Sequence, residues 1–182
     1  EKLTSIRGIA NTIMGICYYL KTNPSDDSMT ERLRNMALKL ISHFQENKSS
    51  DWLWFESLLA YDNGILPLAL LHAAGILNDD RITQVAFATM DFLTTLTMKD
   101  DYLSIIGNEK WYKKDGERSV FAQQPIDAIL PGKGSDHTIG NDPASICFEL
   151  GGSSLDARKE RLLILGRNAG TKFDQQSLGM DR

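Results

Sequence analysis

Three carboxyl groups, Glu56, Asp62 and Asp127, are the candidates for acid–base work in this chain, with Asp62 first and Glu56 second. Two carboxyls flanking a glycosidic bond can cleave it, about 5 Å apart for retention and about 6.5–9.5 Å for inversion. Each would need a pKa tuned by burial and by its neighbours. Glu56 and Asp62 fall within Asp51 to Leu71, DWLWFESLLAYDNGILPLALL, which also holds Trp52, Trp54, Tyr61 and Asn63. Sugars present apolar ring faces and polar edges, so aromatic rings with N–H or O–H handles beside carboxyls and amides suit them. Trp111 and Tyr112 extend the set, and Gln123 and Gln124 add neutral groups that both donate and accept.

Each of these residues also has a plain structural reading. Asp62 or Asn63 could cap a helix, Glu56 could pair with an arginine, and the tryptophans could pack between helices. Gln123 and Gln124 could tie a loop to helix ends. The three histidines, His43, His72 and His137, are scattered and no HxxxH or HExxH spacing occurs, so neither a metal nor another cofactor is expected. Gly132-Lys133-Gly134-Ser135 lacks the spacing and the preceding strand of a phosphate loop.

The elements that must hold these residues read as helices. From Leu3 to Leu20, apolar residues at Leu3, Ile6, Ala10, Ile13, Cys17 and Leu20 alternate steps of three and four, the period of one helical face. Gly8 and Gly15 weaken that helix by about 1 kcal/mol each and mark a face that another backbone could approach. Asn23-Pro24 breaks it. Ser28 and Glu31 fit a capping box for a second helix with Leu33, Met36, Ala37, Leu40, Ile41 and Phe44 on its apolar face. A third helix, with Pro67 in its first turn, runs to about Ile76 with Gly75 and Asn78 at its end. Asp79-Asp80 then opens a fourth carrying Ile82, Val85, Ala86, Met90, Leu93 and Leu96. Tyr102, Leu103, Ile105 and Ile106 suggest a short strand, and Trp111, Tyr112 and Gly116 an ordered loop or hairpin. A fifth helix is expected over Ile126 to Leu130, and a further one over Ala157 to Leu165.

Two successive helix pairs with short connections predict an all-α fold of stacked antiparallel helical hairpins, with a short β-hairpin or ordered loop near residues 102–120. The 182 residues, 42% hydrophobic and 24% charged, are ordinary for one globular domain. The net charge of −4 argues against a nucleic-acid surface. No run reaches the roughly 18 to 20 apolar residues of a membrane span, and the N-terminus lacks the order of a signal peptide. Cys17 and Cys147 lie far apart with no CxxC or Cys/His cluster, so a reduced, cytoplasmic setting is expected.

The linked run Trp52-Leu53-Trp54-Phe55-Glu56, Leu59, Tyr61-Asp62-Asn63 and Leu66-Pro67 is followed by Gly107-Asn108, Trp111-Tyr112 and Phe121-Ala122-Gln123-Gln124-Pro125. In that order it resembles a bacterial family of helical-toroid proteins, similar to six-hairpin, (α/α)6 glycosidase-like domains commonly labelled glycosyltransferase or carbohydrate-metabolism proteins. The resemblance covers about residues 1–130. It implies a partial (α/α)6-toroid-like domain there, with residues 131–182 forming an irregular C-terminal segment. It further implies a protein acting on glycans or oligosaccharides, with Glu56, Asp62 and Asp127 near the mouth of a cavity. The alternative is a non-catalytic glycan-binding or glycosyltransferase-associated module. The family pattern has Asp where this chain has Ala122, and a full toroid needs twelve helices where the resemblance ends at the fifth. Phe173-Asp174-Gln175-Gln176 occurs later, in the irregular segment. An incomplete ring exposes apolar helix faces, so self-association or a covering partner is expected.

Overall fold

Helix α1 (Ile6–Thr22) begins where the Ser5 side chain accepts from the Gly8 amide, in a computed structural model that describes residues 3–99 and 102–123. Asp127, Gln124, the expected helices over 126–130 and 157–165, Cys147, His137 and the segment 131–182 lie outside the described residues. The cap at Ser5 leaves Leu3 ahead of the helix and 38% exposed, although its spacing had matched the apolar face. Ile6, Ile9, Ala10, Ile13, Ile16, Cys17 and Leu20 form the buried stripe. Among the described residues no other element approaches the two glycines closely. Among the described residues a Cβ at Gly15 would have nothing within 4 Å, and the atoms nearest one at Gly8 belong to Leu3 and Ser5 of its own segment.

Residues 23–26 turn the chain into α2 (Asp27–Asn47), which buries Leu33, Ala37, Leu40 and Phe44. Its cap is Asp26, whose Oδ1 accepts from the Met29 amide at 2.9 Å, rather than the Ser28–Glu31 box. Ser28 falls inside the first turn, where its hydroxyl is past the free amides. Helix α3 (Ile65–Leu77) is apolar on nearly all sides, as suits a helix enclosed by neighbours. It packs most extensively against α1 and α4 and also touches α2. Gly75 lies within it, and Asn78, left-handed at φ 50°, ends it. Asp79 caps α4 (Asp80–Thr97), accepting from the Arg81 amide at 3.0 Å. Among the described residues no helix is long and apolar enough to cross a membrane.

Four two-residue strands complete the described architecture: β1 (Leu58–Leu59), β2 (Met98–Lys99), β3 (Tyr102–Leu103) and β4 (Tyr112–Lys113). Strand β2 follows α4 directly and pairs antiparallel with β3, so the strand expected over 102–106 is cut to 102–103. Ile105 and Ile106 are buried instead. Strand β4 pairs antiparallel with β1, in the register Leu58 to Lys113 and Leu59 to Tyr112. The Trp111-Tyr112 segment therefore docks on the Trp-rich stretch, while the loop around it also closes on itself through Gly107 N to the Ser119 carbonyl at 2.8 Å and Ser119 N to the Trp111 carbonyl at 3.1 Å.

Short turns within each helix pair set the layout. With α1 joined to α2 by residues 23–26 and α3 to α4 by residues 78–79, the start of α1, the end of α2, the start of α3 and the end of α4 share one end of the bundle. The long segments 48–64 and 98–123 emerge at that same end. Lys114 Nζ donates to the carbonyl of Asn47 at 2.9 Å, and Arg118 donates to the carbonyls of Leu96, Ser104 and Ile105, tying the second segment to α2 and α4.

Candidate functional site

Arg7, in the first turn of α1 and only 8% exposed, holds the Trp-rich segment from below. Its Nη1 donates to Glu56 Oε2 at 2.9 Å, its Nη2 to Asn63 Oδ1 at 3.4 Å, and its Nε to the Tyr61 carbonyl. The guanidinium carbon lies 4.7 Å from the centroid of the Tyr61 ring, a cation–π contact. A planar, always-charged fork can meet several acceptors and a ring face at once, which a lysine cannot. Asn63, 2% exposed, also donates to the Ala60 carbonyl at 2.8 Å. Trp52 Nε1 donates to the Glu56 carbonyl at 2.7 Å, and Asn47 Nδ2 to the Phe55 carbonyl at 3.0 Å. The segment is thus fixed to helices on two sides.

Asp62 stands apart from this network. Among the described residues its carboxyl accepts no hydrogen bond, and it is half-buried with its backbone left-handed at φ 48°. Burial pushes its pKa above the usual carboxylate range, with the Arg7 charge opposing that shift. A half-buried carboxyl with no hydrogen bond among the described residues can accept from a ligand. The N-cap position of α3 is Gly64, so the helix begins later than a cap at Asp62 or Asn63 would place it. The Glu56–Arg7 pair, by contrast, is the ion pair that the plain reading of Glu56 expects.

The aromatic residues divide into two groups. Trp52 (3% exposed) and Trp54 (0%) are core residues, Trp52 edge-on to Phe92 and Tyr112 and Trp54 edge-on to Phe55. They present no face to solvent because their rings fill the space between this segment and α4. Tyr112 is half-buried against Trp52, at 5.3 Å between ring centroids. Tyr61 is 49% exposed, and its ring lies 6.3 Å from that of half-buried Trp111. Trp111 is left-handed at φ 57°. That conformation costs a bulky residue about 1–3 kcal/mol and is found where surrounding structure imposes it. The exposed Gln123 bridges to Gly107 through its backbone, and its side chain reaches the Val120 carbonyl at 3.4 Å.

The structure therefore gathers Arg7, Glu56, Tyr61, Asp62, Asn63 and Trp111 at one end of the bundle, and leaves Trp52, Trp54 and Tyr112 as packing around them. Sequence reasoning missed Arg7. A signal existed, since a charge beside Ile6, Ile9 and Ala10 on an otherwise apolar stripe demands buried partners. Among the described residues, no group of three or more His, Cys, Asp or Glu side chains converges to hold a metal ion. No family model matches the chain, and no curated protein or solved structure matches it.

Proposed function

We propose that this chain is a carbohydrate-active protein of the (α/α)-toroid type, recognising a glycan or oligosaccharide at the Tyr61–Asp62–Trp111 end of the bundle. The observation that carries the reading is an aromatic pair, exposed Tyr61 and half-buried Trp111, beside a half-buried carboxyl free of hydrogen bonds among the described residues. An aromatic face stacks on a sugar ring while the carboxyl accepts from its hydroxyls. The enclosed, apolar α3 between α1 and α4, with α2 against α4, supports the toroid arrangement, in which inner helices are buried by their neighbours. The same reading expects a partner or a second copy along α1, where Gly15 borders open space and Tyr18 is 57% exposed.

A specific observation favours binding without bond cleavage as a second reading. Glu56 is held by Arg7, so among the described residues Asp62 is the one proposed carboxyl not already engaged, and two-carboxyl chemistry needs another. Calorimetric titration of the chain with an oligosaccharide panel, followed by product analysis, tests both readings. Saturable binding weakened about tenfold by Trp111→Ala is expected, equivalent to about 1.4 kcal/mol. Product formed by the wild type and abolished in Asp62→Asn makes Asp62 catalytic, and binding without product supports the module. Affinity and turnover unchanged in both variants would sink the site.

A further inference from the structure

We infer that Arg7 is the positioning residue of this site and that Glu56 serves it, the pair setting the placement of Tyr61 and Asp62 without itself meeting the ligand. The consequence for ligand binding rests on the glycan reading above; the positioning role does not.

Asp62 is held in place from outside its own side chain. Its own carboxyl has no hydrogen bond among the described residues, so its position is set through its neighbours. Both neighbours are bound to the same guanidinium, Tyr61 through its carbonyl and Asn63 through its side chain. The Tyr61 ring lies against that guanidinium as well, and this contact sets the face it turns toward Trp111. Left-handed backbone at a residue other than glycine persists only where surrounding contacts over-determine it, and Arg7 supplies those contacts on either side of Asp62. Glu56 completes the arrangement. Its carboxylate neutralises a guanidinium that is otherwise buried, while its own carbonyl is fixed by Trp52. The site carries one anchor from α1 and reads three positions of the following segment, at sequence separations of 49 to 56 residues.

A lysine would keep the charge opposite Glu56 and lose the fork. Arg7→Met and Arg7→Lys, made in the full chain, therefore separate charge from geometry. Three measurements are needed: helix content and thermal midpoint, the nuclear Overhauser contact between the Tyr61 and Trp111 rings, and affinity for an oligosaccharide that the wild type binds. In folded Arg7→Met the ring contact is expected to disappear and affinity to fall tenfold or more. Arg7→Lys is expected to fold with a thermal midpoint nearer the wild type, yet to recover neither the ring contact nor more than a minor part of the affinity.

A folded Arg7→Met that keeps the ring contact and the affinity overturns the inference. Should that variant not fold, Arg7→Lys decides by the same two readouts, and failure of both to fold assigns Arg7 to the core alone and overturns the proposal. Loss of the ring contact in a chain that binds no oligosaccharide of the panel upholds the positioning role and overturns the glycan reading. An oligosaccharide bound equally well by wild type and a folded Arg7→Met that keeps the ring contact does the reverse.

Discussion

The two ends of the helix bundle use the same residue type in opposite ways. At the end that carries the short turns, Asp26 and Asp79 each accept a backbone amide at the start of a helix. Their carboxyls are held below the usual range, Asp26 chiefly by the Met29 amide and Asp79 chiefly by the Arg81 side chain. At the other end, Asp62 lies just ahead of α3 without capping it, and burial raises its pKa. Turns that only reverse the chain satisfy their polar groups locally. The long segments at the opposite end keep one half-buried carboxyl, Asp62, without a hydrogen bond among the described residues and hold four non-glycine residues, Asp62, Trp111, Asp115 and Ala122, in left-handed backbone, against Asn78 at the turn end. That contrast locates the end where the fold forgoes stability, which is the usual mark of a site.

The largest expected effect separates core from rim at the loop end itself. Trp54→Ala should cost about 3–5 kcal/mol in urea unfolding, because the ring is fully buried against Phe55 and Phe92. Tyr61→Ala should cost about 1 kcal/mol or less, since mainly its contact with Arg7 is lost. Comparable losses in the two variants would erase the division of the aromatics into packing and rim.

At the turn end, Asp79→Ala should cost about 1 kcal/mol at neutral pH through loss of the α4 cap. Its pH dependence carries a definite sign. A depressed folded pKa gives stability that is present above the unfolded value of about 3.9 and lost as pH falls through the folded one. Asp62 has the opposite sign, because a raised folded pKa gives stability that is present below the unfolded value and lost as pH rises through the folded one. Asp79→Ala should therefore flatten the acid side of the stability curve, while Asp62→Asn should raise stability on the neutral side. Shifts of the same sign in both variants would contradict the contrast between the ends. The smallest effect is a gain: Ala122→Gly should stabilise the chain by about 0.5 kcal/mol, measured by the same unfolding titration, by relieving a φ of 56°. A loss there would mean that this backbone is not strained.

The helices were legible because a 3.6-residue apolar period survives along α1, α2 and α4, and because Asp79 and Pro67 stand at positions that only a helix start explains. Where the sequence misled, two signals competed over a short span. Ser28–Glu31 matched a capping box, yet Asp26 precedes it and takes the free amide first. The strands left no periodic trace, since two residues cannot show alternation, and the partner of Tyr112 is more than fifty positions away. Asp62, Glu56 and Trp111 could be singled out by type, whereas Arg7 showed only as a charge on an apolar stripe, and its partners could not be named because they come together only once α1 has docked. Trp52 and Trp54 look the same as Trp111 in sequence. What separates them is their neighbours: Trp52 and Trp54 are enclosed by Phe92, Tyr112 and Phe55, whereas Trp111 is half-buried beside the exposed Tyr61.

That pairing also constrains how the chain can change over evolutionary time. Leu59 faces the core opposite Tyr112, which packs on Trp52, while Lys113 beside it is exposed. A slip of one residue would exchange Tyr112 and Lys113 and present a charge to the Trp52 ring. Insertions or deletions in either long segment are therefore tolerated only where they preserve this two-residue register, so the two loops must diversify as a unit while the short turns at the far end drift independently.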